Sequence, residues 1–424
     1  YLYRFRGSRI RKGASTMRIL HTSDWHLGRS LMLLKRQDEL TAFLDWLLKT
    51  IEERNVDGLI VAGDIFDNTT PPTAAQELYY NFLGRAARTC CNNVVIVAGN
   101  HDSPTLLDAP AQILKAINVH VVGTPGKSPE NAVIILQNRA GEAKGLVCAV
   151  PYLRDRDIRR VVPGETVEDK AAALLKGMQQ HYADVCAAAE RLRQQLGDLP
   201  LIATGHLFTA GGHTVEGDGV RELYVGTIAH VGSEIFPAGI DYVALGHLHA
   251  PQKVGGHEHI RYSGAPIAMN FCEAKQQKKV FLIEFTGRKP QIEEIAVPCF
   301  QPLEKICGDL AKLTDRIGQL VEENSSAWLE IEYTGEMIVA NLDEQINAAI
   351  AGSALKVTRI INRNSSQLRL TADDTPQSLE GMSEEDVFDY CLKARDVPEG
   401  QHAELKQAYQ EIISSIVEND ADVE

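Results

Sequence analysis

The feature that most constrains this chain occurs at five places: a short apolar run that stops at metal-capable side chains. "MRILHTSDWH" runs from Met17 into Asp24 and His26, and "DGLIVAGD" runs through Ile60 and Val61 into Gly63 and Asp64. "NVVIVAGNHD" ends at Gly99, Asn100, His101 and Asp102. "PLIATGH" ends at Gly205 and His206, and "DYVALGHLH" ends at Gly246, His247 and His249. Each run suits a strand buried on both faces. Glycine at four of the ends lets the backbone turn sharply or approach another group closely. In layered α/β folds, sites gather where strand C-termini and their loops converge. Five such ends therefore predict one shared site.

Helical patterns lie between the runs. Leu40, Phe43, Leu44, Leu47, Leu48 and Ile51 recur at helical spacing with a charged opposite face. Pro71 and Pro72 precede a second stripe at Leu78, Phe82 and Leu83, and proline suits a helix start. "VEDKAAALLKGMQQHYADVCAAAERLRQQLG" has the composition of one or two helices. The order β–α–β–α–β predicts an α/β layered domain over 17–297, with Lys279–Phe285 as its last strand.

Around residue 298 the pattern changes. A helix at Leu303–Glu322, the strand "WLEIEYTG", the helix "NLDEQINAAIAG" and the strand "LKVTRIINR" predict a small α+β domain over 298–366. The polar stretch 367–382 reads as a linker. Residues 383–424 read as C-terminal helices, either a docking element for a partner or a packed tail. A length of 424 residues agrees with two or three domains.

Residues 1–16 carry five basic side chains, no acidic one and no apolar segment. They do not form a secretory signal and are read as a non-native or disordered extension. No run approaches eighteen apolar residues, so no membrane helix is expected. The eight cysteines include no C-x-x-C pair and are read as reduced thiols in a cytoplasm. A net charge of −14 argues against a broadly basic nucleic-acid surface. It does not exclude a nuclease whose positive charge is concentrated in metal ions.

Asp24, His26, Asp64, Asn100, His206, His247 and His249 supply two carboxylates, one amide oxygen and four imidazoles. Such a set suits Mn²⁺, Fe²⁺ or Zn²⁺ better than Ca²⁺. It is too large for one ion and sufficient for two if one carboxylate bridges. Two divalent ions against two carboxylates leave a local surplus of about two positive charges, which would attract a phosphodiester. Such a pair can activate water and stabilise the attacking and leaving oxygens. His101 is read as catalytic rather than ligating, because an imidazole can protonate or stabilise a leaving alkoxide. Asp102 either orients that ring or caps a turn.

The motifs D-x-H at 24–26, G-D at 63–64, G-N-H-D at 99–102, G-H at 205–206 and G-H-x-H at 246–249 resemble the calcineurin-like metallophosphoesterase superfamily. With "MRILHTSDWHLG", "VAGDIFD", "VAGNHDS", "IATGHL" and "YVALGHLH", the resemblance narrows to the double-strand-break repair nuclease family and its bacterial SbcCD branch. It spans roughly 17–420. It implies a layered β-sandwich flanked by helices, with the second domain as a cap that helps select DNA. It assigns Asp24, His26, Asp64 and His249 to one metal, and Asp64, Asn100, His206 and His247 to the other. Asp64 is then the bridge, manganese the usual ion and His101 the catalytic histidine. Relatives outside bacteria commonly carry a histidine where this chain has Asp67, so Asp67 is assigned no transition-state role. The resemblance further implies that the C-terminal helices bind an SbcC-type coiled-coil ATPase, and that helices near 38–54 and 73–88 form a homodimer. A small-molecule phosphoesterase and a non-catalytic DNA-end scaffold are the competing readings.

Overall fold

The computed structural model describes residues 16–159, 164–209, 232–335, 339 and 341–363, with Phe388 and Leu392. The expected linker at 367–382 lies outside the described residues. So do the stretch before Thr16 and, apart from Phe388 and Leu392, the expected helices of 383–424.

Strands β1 (Thr16–Thr22), β2 (Gly58–Ala62), β3 (Asn93–Val97) and β4 (Val119–Val122) are parallel neighbours in that order. Helix α1 (Gln37–Glu53) connects the first two, and α2 (Thr73–Ala86) the next two. A second sheet comprises β5 (Val133–Gln137), β6 (Ala143–Cys148), β7 (Leu201–His206), β8 (Tyr242–Gly246), β9 (Gln252–Val254) and β10 (His257–Tyr262). Its order is β9–β10–β8–β7–β6–β5, with β6, β7, β8 and β10 parallel. Helix α3 (Val167–Leu196) lies between β6 and β7 in the chain. The chain then returns to the first sheet with β11 (Lys279–Thr286) and β12 (Lys289–Ala296), giving the order β12–β11–β1–β2–β3–β4.

Alternation along the strands stacks these layers. Ile19, Ile60 and Val95 of the first sheet meet Ile202, Tyr242 and Ala244 of the second in one buried cluster. Their neighbours Leu20, Leu59, Val61, Val94 and Ile96 face the other way, onto Leu40, Phe43, Leu47 and Phe82 of α1 and α2. Ala203, Val243 and Leu245 likewise pack on Met178, Tyr182 and Val185 of α3. The result is a four-layer α/β/β/α sandwich. Each large apolar side chain so buried contributes about 1.5–3 kcal/mol. A one-residue slip would exchange the two faces, so the register is strongly specified. Parallel strands in both sheets place their C-terminal ends along one rim.

His21 on β1 is fully buried between the sheets. Its Nδ1 accepts from the Tyr242 hydroxyl at 2.9 Å, and its Nε2 donates to the Leu245 carbonyl at 3.2 Å. Burial pushes its pKa down to about 3, despite the Leu245 hydrogen bond. The unfolded chain, with an ordinary value near 6.5, therefore takes up the proton first. Stability contributed by neutral His21 is complete above pH ~6.5 and is lost as pH falls from there toward 3. His21→Gln, which keeps a donor and an acceptor, should flatten the fall of the urea midpoint between pH 7 and 5. An unchanged slope would show that acid lability lies elsewhere.

Two expectations are corrected near the end of the sandwich. Its last strand is Lys289–Ala296, paired antiparallel with β11, rather than Lys279–Phe285. Residues 303–308, expected to open a helix, form strand β13 (Leu303–Gly308). Pro302 and Gly308 carbonyls accept from Trp328 and Thr334 amides at 2.9 Å each, so strand pairing overrides the helical pattern. Helix α4 (Leu310–Glu322) starts only after Asp309, whose carboxylate caps the Lys312 amide at 2.9 Å. Strand β14 (Trp328–Tyr333), helix α5 (Leu342–Ile350) and strand β15 (Lys356–Asn362) follow, and β13–β14–β15 form a separate sheet.

By compactness the chain divides into two units. One runs through Lys305 and includes Leu320–Glu330 and Gly352–Arg359; the other holds Ile306–Gln319 and Ile331–Ala351. Among the described residues, no helix is long and apolar enough to cross a membrane.

Candidate metal centre

All seven candidate ligands and His101 lie just beyond, or at, the C-terminal ends of β1, β2, β3, β7 and β8. Reaching this rim strains the backbone. Asp24, His26, Asp64 and His247 have φ of 53°, 47°, 49° and 103°, a region side-chain-bearing residues enter at a cost of order 1–3 kcal/mol. Hydrogen bonds hold the strain in place. The Asp24 amide donates to the Gly63 carbonyl, and the His26 amide to the Asp64 carbonyl, at 3.0 Å each. Two glycines are required by close approach. A Cβ on Gly63 would lie 2.1 Å from His206 Nδ1, and one on Gly246 would lie 1.9 Å from the Ala62 carbonyl oxygen.

Asp24, His26, Asp64, His206, His247 and His249 are all buried, while Asn100 and His101 are half-buried. One donor atom from each of Asp24, His26 and His249 lies within 4.8 Å of the other two. The same holds for Asp24, Asp64 and His206. Asn100 Oδ1 closes the second side, 2.9 Å from His206 Nε2 and 3.1 Å from His247 Nδ1. The structure thus brings the whole predicted set together, with Asp24 in reach of both trios. Asp64 Oδ2 lies between the two sides, 3.3 Å from His206 Nε2 and 3.6 Å from His26 Nε2.

The donor set fits divalent transition ions. His26 Nε2 and His249 Nε2 face each other at 3.3 Å, close enough for one ring to donate to the other or for both to offer lone pairs to one cation. Burial pushes the Asp64 carboxyl up, but His206 and His26 outweigh it and hold it well below the ordinary range. Burial likewise opposes a charge on His206, but Asp64 raises it to about 9. His247 is pushed down to about 3 by burial and by His206.

His101 sits apart from both trios. Its amide donates to Asp64 Oδ1 at 2.9 Å, and its Nδ1 lies 2.9 Å from the Asp67 carbonyl oxygen. A carbonyl only accepts, so Nδ1 carries the proton and Nε2 is the nitrogen able to exchange one. Asp102 does not orient this ring. It caps the turn, accepting the amides of Gly99, Ile65 and Phe66 at 2.8, 3.1 and 2.9 Å.

Two carboxylates behind the histidines escape the sequence pattern. Asp67 Oδ1 lies 3.4 Å from His26 Nδ1, and Glu273 Oε1 lies 3.6 Å from His249 Nδ1. In the sequence Asp67 stands out only as a position where relatives differ. Glu273 stands in "NFCEAKQQKK", where no strand end signals it. A short turn capped by Asn270, whose Oδ1 accepts the Cys272 and Glu273 amides at 2.8 and 3.2 Å, sets its direction.

Residues 17–251 match the family model for calcineurin-like phosphoesterases, and residues 299–396 match the one described as type 5 capsule protein repressor C-terminal domain. The chain is 38% identical over 402 residues to the D subunit of nuclease SbcCD from Escherichia coli K12, covering 93% of this chain and 97% of that protein. The corresponding SbcCD protein of Rhodobacter capsulatus is 38% identical, covering 64% of this chain and 67% of its own length. The one from Bacillus subtilis is 32% identical, covering 74% and 78% respectively. On that likeness and the metal-ready rim, the chain belongs to the calcineurin-like phosphoesterases, enzymes that hydrolyse phosphate esters with bound metal, in the family of SbcD nucleases.

Proposed function

We propose that this chain is a manganese-dependent DNA nuclease with two metal positions, acting on duplex ends as an exonuclease and on single-stranded or hairpin DNA as an endonuclease. The observation that carries the reading is Asp64 Oδ2, placed between histidines of the two sides. Asp24, His26, Asp64 and His249 would hold one ion, and Asp64, Asn100, His206 and His247 the other. Asp64 is preferred to Asp24 as the bridge, because both Asp24 oxygens already accept the His247 amide, at 2.9 and 3.2 Å. Bound there, two divalent ions would clamp a phosphoryl group, lower the pKa of the attacking water and offset charge on the oxygens.

The chain's own groups supply the rest. His101, with its Nδ1 proton held on the Asp67 carbonyl, presents Nε2, which can protonate the departing oxygen once the ring has taken up a second proton there. His206, charged near neutrality while it serves as the partner of Asp64, must give up its proton to become a ligand. Metal uptake below pH ~9 should therefore release protons. Likeness to the SbcCD nucleases over nearly the whole chain supports an SbcC-type ATPase as partner, bound by residues 383–424, and a cap at 298–366 that helps select DNA. A homodimer through α1 and α2 completes the proposal, with the protein acting in the cytoplasm.

The test is a side-by-side assay with Mn²⁺ on duplex ends, hairpins, cyclic nucleotides and phosphomonoesters, with and without the ATPase. DNA cleavage that requires the metal is expected. Cleavage of a nitrophenyl phosphodiester but never of DNA would overturn the nuclease reading in favour of a small-molecule phosphoesterase.

A further inference from the structure

The two sides of the centre are supported differently. On the side of Asp24, His26 and His249, both imidazoles are backed by carboxylates: Asp67 stands 3.4 Å from His26 Nδ1, and Glu273 stands 3.6 Å from His249 Nδ1. Among the described residues, neither Nδ1 has a hydrogen-bond partner, so these carboxylates are the groups to which each can turn a proton. On the other side, the partner of His206 Nδ1 among the described residues is the neutral Ala62 carbonyl, at 2.9 Å.

Each carboxylate is also held from behind by a cation. Arg29 contacts Asp67 Oδ1 at 2.8 Å. Lys278 pairs with Glu273 and donates to the His249 carbonyl at 3.2 Å. Glu273 is only 1% exposed, and its second oxygen accepts the Met269 amide at 3.1 Å. Burying this charge is costly, and the immediate beneficiary is the ring of His249. A carboxylate behind Nδ1 keeps the proton on that nitrogen, leaves the Nε2 lone pair free and raises its basicity. The two Nε2 atoms so prepared are the pair that face each other at 3.3 Å.

We propose that Asp67 and Glu273 are paired positioning residues that set the affinity of one metal position, the one at Asp24, His26 and His249. At the other position, His206 is backed by a neutral carbonyl instead. This inference rests on the two-metal reading above.

The test titrates Mn²⁺ into the chelator-treated full chain by calorimetry, with free Mn²⁺ followed by paramagnetic resonance. Wild type should take up two ions. Asp67→Asn and Glu273→Gln should each weaken one ion by about 10–100-fold and leave the other within about threefold. Asp67→Glu, which keeps the charge, should recover most of the affinity, as a packing role would not require. Because Glu273→Gln strands Lys278, Glu273→Gln with Lys278→Met is measured beside it. If both Glu273 variants fail to fold, the Asp67 pair decides. Equal weakening of both ions, or no weakening of either, would overturn the inference while leaving the two-metal centre standing. A wild-type chain that binds no ion overturns that centre, and this inference with it.

Discussion

Asp64→Ala is expected to abolish double metal occupancy and to lower DNA cleavage by at least about 10³-fold, because the pKa of the attacking water is no longer brought toward ~7. The side chain being removed is almost fully buried, with one oxygen 3.3 Å from His206 Nε2 and 3.6 Å from His26 Nε2. Its other oxygen holds the His101 amide at 2.9 Å, so the loop that carries Asn100 loses an anchor as well. Metal content of the purified variant is the direct readout. Asp24→Ala is the informative control, since Asp24 reaches both trios. It should retain one ion. Two ions retained in Asp64→Ala, or none in Asp24→Ala, would transfer the bridging role.

His101→Ala should behave in the opposite way, keeping both ions and losing turnover by about 10²–10⁴-fold. The alanine preserves the amide bond to Asp64 Oδ1, and the ring belongs to neither trio of donors. What disappears is the Nε2 nitrogen, left free to exchange a proton because the Asp67 carbonyl holds the one on Nδ1. Metal analysis beside single-turnover cleavage separates the outcomes. Loss of metal would make His101 a structural residue, and unchanged cleavage would remove it from the chemistry.

Much of this is legible in the chain because each signal is local. The strands betray themselves as apolar runs, and glycine followed by a polar residue marks where four of the five stop. The stripe of Leu40, Phe43, Leu44, Leu47, Leu48 and Ile51 is the buried face of α1. Residues that act through distant partners are not legible. His21 looks like any histidine in a strand, yet it is closed between Tyr242, Leu245 and Phe281. Asp102 adjoins His101 in the chain, but the amides it caps come from Gly99, Ile65 and Phe66. At 303–308 the side-chain pattern allows a helix, and pairing with a strand some twenty-five residues onward decides otherwise.

The histidines of "GHLHAP" show where the division falls. Their chemistry, and their place at the end of an apolar run, are properties of the chain before it folds. Alternation on a strand would point both the same way. In the structure β8 ends at Gly246 and the chain bends at His247, whose φ is 103°. His247 then reaches Asn100 while His249 reaches His26. The layered α/β fold and the seven side chains able to bind metal are written in the sequence, because strand burial and donor chemistry are carried residue by residue. Three things come from folding: which donors share a side, that Asp64 stands between them, and that Asp67 and Glu273 back two of the rings. They depend on where two sheets bring their strand ends together, and no local spacing encodes that.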